Sequence, residues 1–279
     1  SYSIITNIDA EHLDHYKSID NLKNSFLKFI EKTPSFGKCY VCIDNKTNNE
    51  IITKSKNKNI LTYGTNVKSN FRIKNILQNK SFSKFNLLIK IPGKKKFEIK
   101  DIKIPIIGLH NIRNATAAAS VSYTIGITQS QIKKGLLNFK GVQRRFNHIF
   151  DYRNSRFVDD YAHHPTEIKS VLDSIKEVYS NEKIVCIFQP HRISRLNNLK
   201  KEFETCFKKA DVLILCPVYK AGENIKLNFN YQTFAKNIIK KSRLTLIMIK
   251  NEIELLKYVK QNIYGNNFVI GMGAGSISS

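Results

Sequence analysis

From Ser155 to Gly273 the chain alternates continuous apolar runs with amphipathic stretches, and few folds tolerate that pattern. SRFVDD, KIVCIF, DVLILC, LTLIMI and NNFVIGMG read as strands. Between them, Ile168, Val171, Leu172, Ile175, Val178 and Tyr179 recur at helical spacing, and LNNLKKEFETCFKK, YQTFAKNIIKK and NEIELLKYVKQNI read as further helices. A strand that is apolar on both faces has to be covered on both faces. The pattern therefore predicts an α/β domain, a mostly parallel sheet between two helical layers. Such sheets bind ligands outside the carboxyl ends of their strands. Three polar clusters, DYAHHP, QPHRISR and VYKAGE, sit at those ends. A chain this rich in Lys and Asn would fill ordinary loops with those residues; here it uses His, Arg, Tyr and Asp.

The first half is more mixed. SIITNI is strand-like, Leu22, Phe26, Phe29 and Ile30 mark one helix face, and KCYVCIDN is a strand with a turn. Residues 46–105 are Lys-rich with short β-like runs and a hairpin signal at IPGKKKF. GLHNIRNATAAASVSYTIGI is a helix of small residues that begins at a glycine. A boundary near residue 140, at NFKGVQRRF, divides the 279 residues into domains 1–140 and 141–279.

Composition narrows the functional classes. The formal charge of +24 invites a nucleic-acid reading, but only nine of the 46 basic residues are arginines and the lysines are dispersed. No nucleic-acid motif is present, and an anionic small substrate fits the charge as well. No apolar run is long enough to span a bilayer and no signal-peptide pattern is found, so a soluble, cytoplasmic protein with no membrane partner is expected. Cys39 and Cys42 form a lone CxxC inside an apolar run, where strand geometry sends the two thiols to opposite faces. Five reduced, buried cysteines are the expectation.

Four further stretches carry chemistry. TNIDAEHLDHY ends a strand with acids and histidines, a donor set suited to a divalent cation, although a lone histidine is more often structural. GLHNIRN places His110, Asn111 and Asn114 where a helix begins, and an amide that both donates and accepts suits a purine edge. Arg144, Arg145, Arg192 and Arg195, four of the nine arginines, fall in two short stretches, where the planar fork can grip phosphate or carboxylate. GMGAGS after the last strand is a weak phosphate-loop signal, and no GxxxxGK[ST] P-loop occurs.

TNIDAEHLDHY, GLHNIRNATAAA, GVQRRF, VDDYAHHPTE, FQPHRISR, VYKAGE and MGAGS occur in an order that resembles the Mur ligases, and FQPHRISR resembles their alanine-adding branch. The resemblance implies a three-domain protein, of which this chain would hold the later part of the central ATPase domain and the C-terminal Rossmann-like domain. The family's P-loop and an upstream magnesium-binding Glu would precede Ser1, so little activity is expected of this chain alone. It implies ATP and Mg2+ as cofactors and UDP-N-acetylmuramate and L-alanine as substrates, joined through an acyl phosphate. His12 would then be the magnesium ligand. His110, Asn111 and Asn114 would contact adenine, Asp160 would lie near the ATP ribose, and Arg144 and Arg145 would face the phosphates or the interdomain cleft. Tyr161, His163, His191, Arg192 and Arg195 would form the pocket for alanine and the muramoyl carboxylate, the last four as catalytic residues. Ala162 departs from the glycine often found there. A peptide-recycling ligase and a non-catalytic nucleotide-binding remnant are the alternatives.

Overall fold

A computed structural model describes residues 1–223 and 229–275. Ser276, the last residue of GMGAGS, lies outside the described residues. The chain divides into two compact units, Ser1–Lys140 and Gly141–Ser279.

The first unit runs β1 (Tyr2–Ile5), α1 (Leu13–Tyr16), α2 (Ile19–Glu31), β2 (Lys38–Cys42), α3 (Lys46–Lys54), β3 (Ile60–Gly64), β4 (Phe71–Gln78), β5 (Ser83–Ile89), β6 (Phe97–Ile104), α4 (Leu109–Thr124) and α5 (Gln129–Leu137). Its strands pair in chain order, β1 to β4 parallel and β4 to β6 antiparallel. Alternation along β2 sorts the core: Cys39 and Val41 pack with Leu22, Ile30 and Ile51 of α2 and α3, while Tyr40 and Cys42 pack with Ile112, Ala115 and Ala119 of α4. The two thiols of the CxxC therefore face opposite layers, and all five cysteines are buried free thiols. The small residues of α4 bring its backbone close to the sheet. Its buried Thr116 and Ser120 hydroxyls donate to the carbonyls of Ile112 and Thr116, so no polar cost remains there. Phe29 does not join the core face of α2; it is 48% exposed, and Phe26 and Leu27 pack there with Leu22 and Ile30.

The second unit runs β7 (Asn147–Tyr152), β8 (Ser155–Asp160), α6 (Pro165–Val178), β9 (Lys183–Phe188), α7 (Ile193–Asn198), α8 (Lys200–Cys206), β10 (Val212–Leu215), α9 (Tyr231–Ser242), β11 (Thr245–Met248), α10 (Glu252–Asn262) and β12 (Asn267–Met272). The sheet order is β11-β10-β9-β12-β8-β7, parallel except for β7. Phe188 on one face meets Phe203 and Phe207 of the α8 segment, and Phe203 meets Phe234 of α9. On the other face Val185, Ile187, Val212, Ile214 and Val269 take Leu255, Tyr258 and Val259 of α10. The chain skips from β8 to β9 and later returns through α10 to lay β12 in the gap. In this register Asp160, Met272, Phe188 and Leu215 end four adjacent strands side by side. The loops after β8, β12, β9 and β10 therefore share one edge. No helix among the described residues is long and apolar enough to cross a membrane.

Candidate active site

The loop after β8 is tied down by its own backbone. Asp160, 3% exposed, accepts from the amides of Phe146 and Ala162. The Tyr161 amide donates to the Arg144 carbonyl, so the segment before β7 and the segment after β8 are stitched together. Burial pushes the Asp160 carboxyl up to about 6, against the opposing pull of the two amides and Arg145. Both of its oxygens serve backbone, so its observed work is to shape the loop that carries Tyr161 and His163. Arg144 is also spent within this unit. It donates to the Gly273 carbonyl, lies 3.5 Å from Asp159 and sits 4.9 Å over the Tyr161 ring. Arg145 is more exposed, 5.9 Å over the same ring and 3.8 Å from Glu167.

The two histidines of AHHP have different tasks. His164 is the N-cap of α6: its Nδ1 accepts from the Thr166 amide, and Glu167 accepts in return from its backbone amide. Pro165 follows as the first helical residue, where its missing N–H costs nothing. His163 turns toward the strand ends instead. Its Nδ1 is 2.9 Å from the Tyr161 carbonyl and 3.5 Å from Glu167 Oε2.

Tyr161, His163, His191 and Tyr219 form a row of rings with successive centroid separations of 5.2, 5.9 and 5.6 Å. Tyr161 and His163 come from the loop after β8, His191 from the loop after β9 and Tyr219 from the loop after β10. The last two loops are joined by a parallel bridge between His191 and Tyr219 and by the Arg192 amide donating to the Tyr219 carbonyl. Arg192 adopts φ 69° at this junction. Glu223 accepts from the amides of Ile193 and Ser194 and from the Ser194 hydroxyl, fixing the start of α7. Arg195, one turn beyond His191, donates through Nη1 to both the His191 ring Nδ1 and the His191 carbonyl, each at 3.1 Å. Burial, then Arg195, the neighbouring His163 ring and Arg192, lower the His191 imidazole to about 4, with Glu223 opposing. His191 is therefore neutral near pH 7. Beside Tyr219 a cavity of about 650 Å³ is lined by Gln189, Pro217, Tyr219, Ile253 and Leu256.

The structure thus brings Tyr161, His163, His191 and Arg195 together, with Arg192 in the backbone junction beside them. Tyr219, Glu223 and Glu167 went unassigned in the sequence. VYKAGE held the first two, but only strand register shows that Tyr219 abuts His191.

In the first unit the strand exits are organised by side chains that sequence reading passed over. Asn48, fully buried, donates to the carbonyls of Thr6 and Cys42 and so joins the exits of β1 and β2. Asp44 accepts from the Thr65 amide and hydroxyl, the Asn66 amide and Arg113 Nε of α4. Burial alone would raise its carboxyl; these donors and the Arg113 charge outweigh that and hold it below the usual range. Arg113 thereby pins the first turns of α4, which carry His110, Asn111 and Asn114. Asn111 Nδ2 donates to the Ile107 carbonyl, and Asn114 is exposed one turn on. His12 stands exposed after β1 in a left-handed conformation. Among the described residues no three His, Cys, Asp or Glu side chains converge as a cation requires, so His12 stands as a single candidate donor.

Comparison with known proteins agrees with this architecture. Residues 1–122 match the Mur ligase middle domain and residues 144–275 the Mur ligase, glutamate ligase domain. The chain is 58% identical over 279 residues to UDP-N-acetylmuramate–L-alanine ligase of Pelagibacter ubique, covering 100% of this chain and 60% of that protein. It is 35% identical over 277 residues to the enzyme of the same name from Bartonella tribocorum, covering 99% and 58%. The chain thus spans about 60% of the length of the curated relatives it matches. The crystal structure of UDP-N-acetylmuramate–alanine ligase MurC from Thermotoga maritima superposes with a TM-score of 0.74 at 26% identity, over 99% of this chain and 57% of that one. Two units built on parallel strands, a ring-and-guanidinium cluster where the second sheet ends, and these matches lead to one conclusion: the chain belongs to the Mur ligase family, whose middle and glutamate ligase domains it carries.

Proposed function

We propose that this chain is the nucleotide- and amino-acid-binding part of an ATP-dependent ligase that adds L-alanine to UDP-N-acetylmuramate, a cytoplasmic step of peptidoglycan precursor synthesis that serves cell-wall growth and division. The observation that carries the reading is the Tyr161–His163–His191–Tyr219 row with Arg195 on His191, at the shared edge of four strands. The relatives' names support the choice of substrates.

A carboxylate resists attack because its charge is spread over both oxygens. Phosphorylation by ATP turns one oxygen into a leaving group, and the amine of alanine then displaces phosphate. The protein's part is to position, to neutralise charge and to manage protons. In this reading His110, Asn111 and Asn114 contact the adenine, with α4 held by the Arg113–Asp44 pair. Tyr161, His163, His191, Arg192 and Arg195 seat the amino acid and the acyl group. Asp160, Arg144 and Arg145 keep the loop that carries Tyr161 and His163 in place. Magnesium bound to ATP would supply charge neutralisation at the phosphates, with His12 as this chain's contribution.

The test is phosphate release by the protein of the complete open reading frame, with ATP, UDP-N-acetylmuramate and L-alanine each omitted in turn. Release that requires all three supports the reading. Turnover with a tripeptide and none with L-alanine would assign the chain to peptide recycling.

A further inference from the structure

We propose that His163 and His191 are locked in opposite neutral tautomers, His163 presenting a lone pair at Nε2 and His191 presenting a proton at Nε2, so that one takes the proton of the incoming ammonium and the other donates to the oxyanion. The inference rests on the ligase reading for its substrates, but the tautomers follow from geometry alone.

A backbone carbonyl only accepts. His163 Nδ1 lies 2.9 Å from the Tyr161 carbonyl, so that nitrogen carries the hydrogen and the lone pair is left on Nε2. Glu167 Oε2, 3.5 Å from the same Nδ1, favours the proton there too. A guanidinium only donates. Arg195 Nη1 lies 3.1 Å from His191 Nδ1, so that nitrogen holds the lone pair and Nε2 carries the hydrogen. The same Nη1 donates to the His191 carbonyl, which fixes the guanidinium in the orientation the lock needs. Among the described residues, charged and titratable groups that face the pair include Arg195 and Arg192 beside His191, Glu223 from the loop after β10, Tyr219 stacked on His191, and Glu167 and Tyr161 beside His163, with Arg145 near Glu167 and Tyr161. Arg195 and Arg192 outweigh Glu223 at the ring that stays neutral, and Glu167 borders the ring that is to become charged. Two imidazoles whose surroundings differ in this way divide acid and base work.

The step balances as follows. The ammonium of the amino acid gives one proton to His163 Nε2 and becomes an amine. Its lone pair forms the C–N bond to the acyl phosphate carbon, and the carbonyl π pair moves onto oxygen, where His191 Nε2–H donates to it. Collapse restores C=O and breaks the C–O bond to phosphate, which leaves with that electron pair and takes the nitrogen's second proton. The third proton stays on the amide, and His163 returns its proton to water. Arg195 is a positioning residue here, acting through His191.

The tautomers are read on the full chain, uniformly labelled with ¹⁵N, by two-bond proton–nitrogen correlation at neutral pH, with His163→Gln and His191→Gln for assignment. The expected result is Nδ1–H for His163 and Nε2–H for His191, and an Arg195→Met chain in which His191 loses its single tautomer. Rings sharing one tautomer, or a charged His191 near neutrality, would overturn the proposal. In the intact enzyme His163→Gln should lower alanine-dependent turnover by about a hundredfold or more. That deficit should shrink as pH approaches the amine's own pKa, with ATP binding unchanged. A deficit of constant size across pH overturns the base assignment. An unaltered enzyme that shows no alanine-dependent turnover counts against the ligase reading instead, and the correlation spectrum still decides the tautomers.

Discussion

Asp160 makes the second unit's stability depend on pH in an unusual direction. Its carboxyl is raised from 3.8 to about 6 by burial, so the folded chain holds this proton more tightly than the unfolded chain does. For a raised pKa, the stabilising contribution is complete below the unfolded value and disappears as pH climbs through the folded one. A rise from 3.8 to about 6 corresponds to about 3 kcal/mol. Between about pH 7.5 and about pH 4.5 roughly 2 kcal/mol of it is regained, because the unfolded carboxyl is still largely ionised at the lower pH. Asp160→Asn has no such term. Its one carbonyl oxygen keeps one of the two amides, at 2.8 or 2.9 Å, and turns an NH2 toward the other, a loss of about 1–3 kcal/mol at any pH. The assay is urea unfolding of both proteins at the two pH values. Every other titrating group cancels in the difference. The variant's deficit should be about 2 kcal/mol larger at the acid pH than near neutrality. A deficit that is the same at both, or larger near neutrality, would refute the claim that burial dominates this carboxyl.

Asp44 should behave in the opposite sense. Its carboxyl is held below the usual range, so its contribution is present above the unfolded value and is lost as pH falls through the folded one. Asp44→Ala strands Arg113, two amides and a hydroxyl, and should cost about 3 kcal/mol in urea unfolding, less at acid pH, and weaken ATP binding through α4. A Cβ at Gly275 would stand 2.5 Å from Gln189 Oε1 and 2.8 Å from Tyr219 Cγ, so Gly275→Ala should displace the ring stacked on His191. It should cost about 1–3 kcal/mol and, if the proposed ligase reading holds, raise the intact enzyme's KM for L-alanine more than that for ATP. Gly135→Ala in α5, where nothing lies within 4 Å, is the control and should stabilise by about 1 kcal/mol.

Elements that bury both faces were legible; elements that bury little were not. KIVCIF and DVLILC announce themselves as β9 and β10 because every residue but the first of each stretch is inside. α3 went unread because KTNNEIITK buries only Asn48 and Ile51, and its start depends on Asn45 capping the Asn48 amide. β7 escaped notice as an edge strand with exposed side chains on both faces, paired to β8 through a two-residue turn whose Arg153 and Asn154 have φ of 48° and 60°. The helix expected over LNNLKKEFETCFKK breaks at Leu199, whose buried side chain belongs to the core while its backbone leaves helical geometry. In the site, residue type drew attention to these loops, while the partners of each side chain come only from the geometry. Arginine reads as an anion grip, yet the fork also suits carbonyls and ring nitrogens. The bonds of Arg144 to Gly273 and of Arg195 to His191 are of that second kind.

The two aspartates show why the loop FVDDYAHHPTE is so densely polar. Asp44 and Asp160 each sit where a strand gives way to a loop, and each collects backbone amides that the loop would otherwise leave unsatisfied. Asp44 also has a cation in contact and stays charged at low cost. Asp160 has two amides, with Glu167 opposing and Arg145 helping from a distance, so near pH 7 it bears a charge that its surroundings only partly compensate. A second cation in contact would relieve it, but the nearby guanidiniums are committed elsewhere, Arg144 to Gly273 and Tyr161 and Arg145 to Tyr161 and Glu167. Several polar side chains in the stretch thus have a neighbour that depends on them: Asp159 holds Arg144, Asp160 holds the amides, Tyr161 lies under the arginines, His163 meets the Tyr161 carbonyl and His164 starts the helix. Replacing Asp160 with Lys or Asn would leave a backbone amide unpaired, and that constraint overrides the chain's general preference for those two residues.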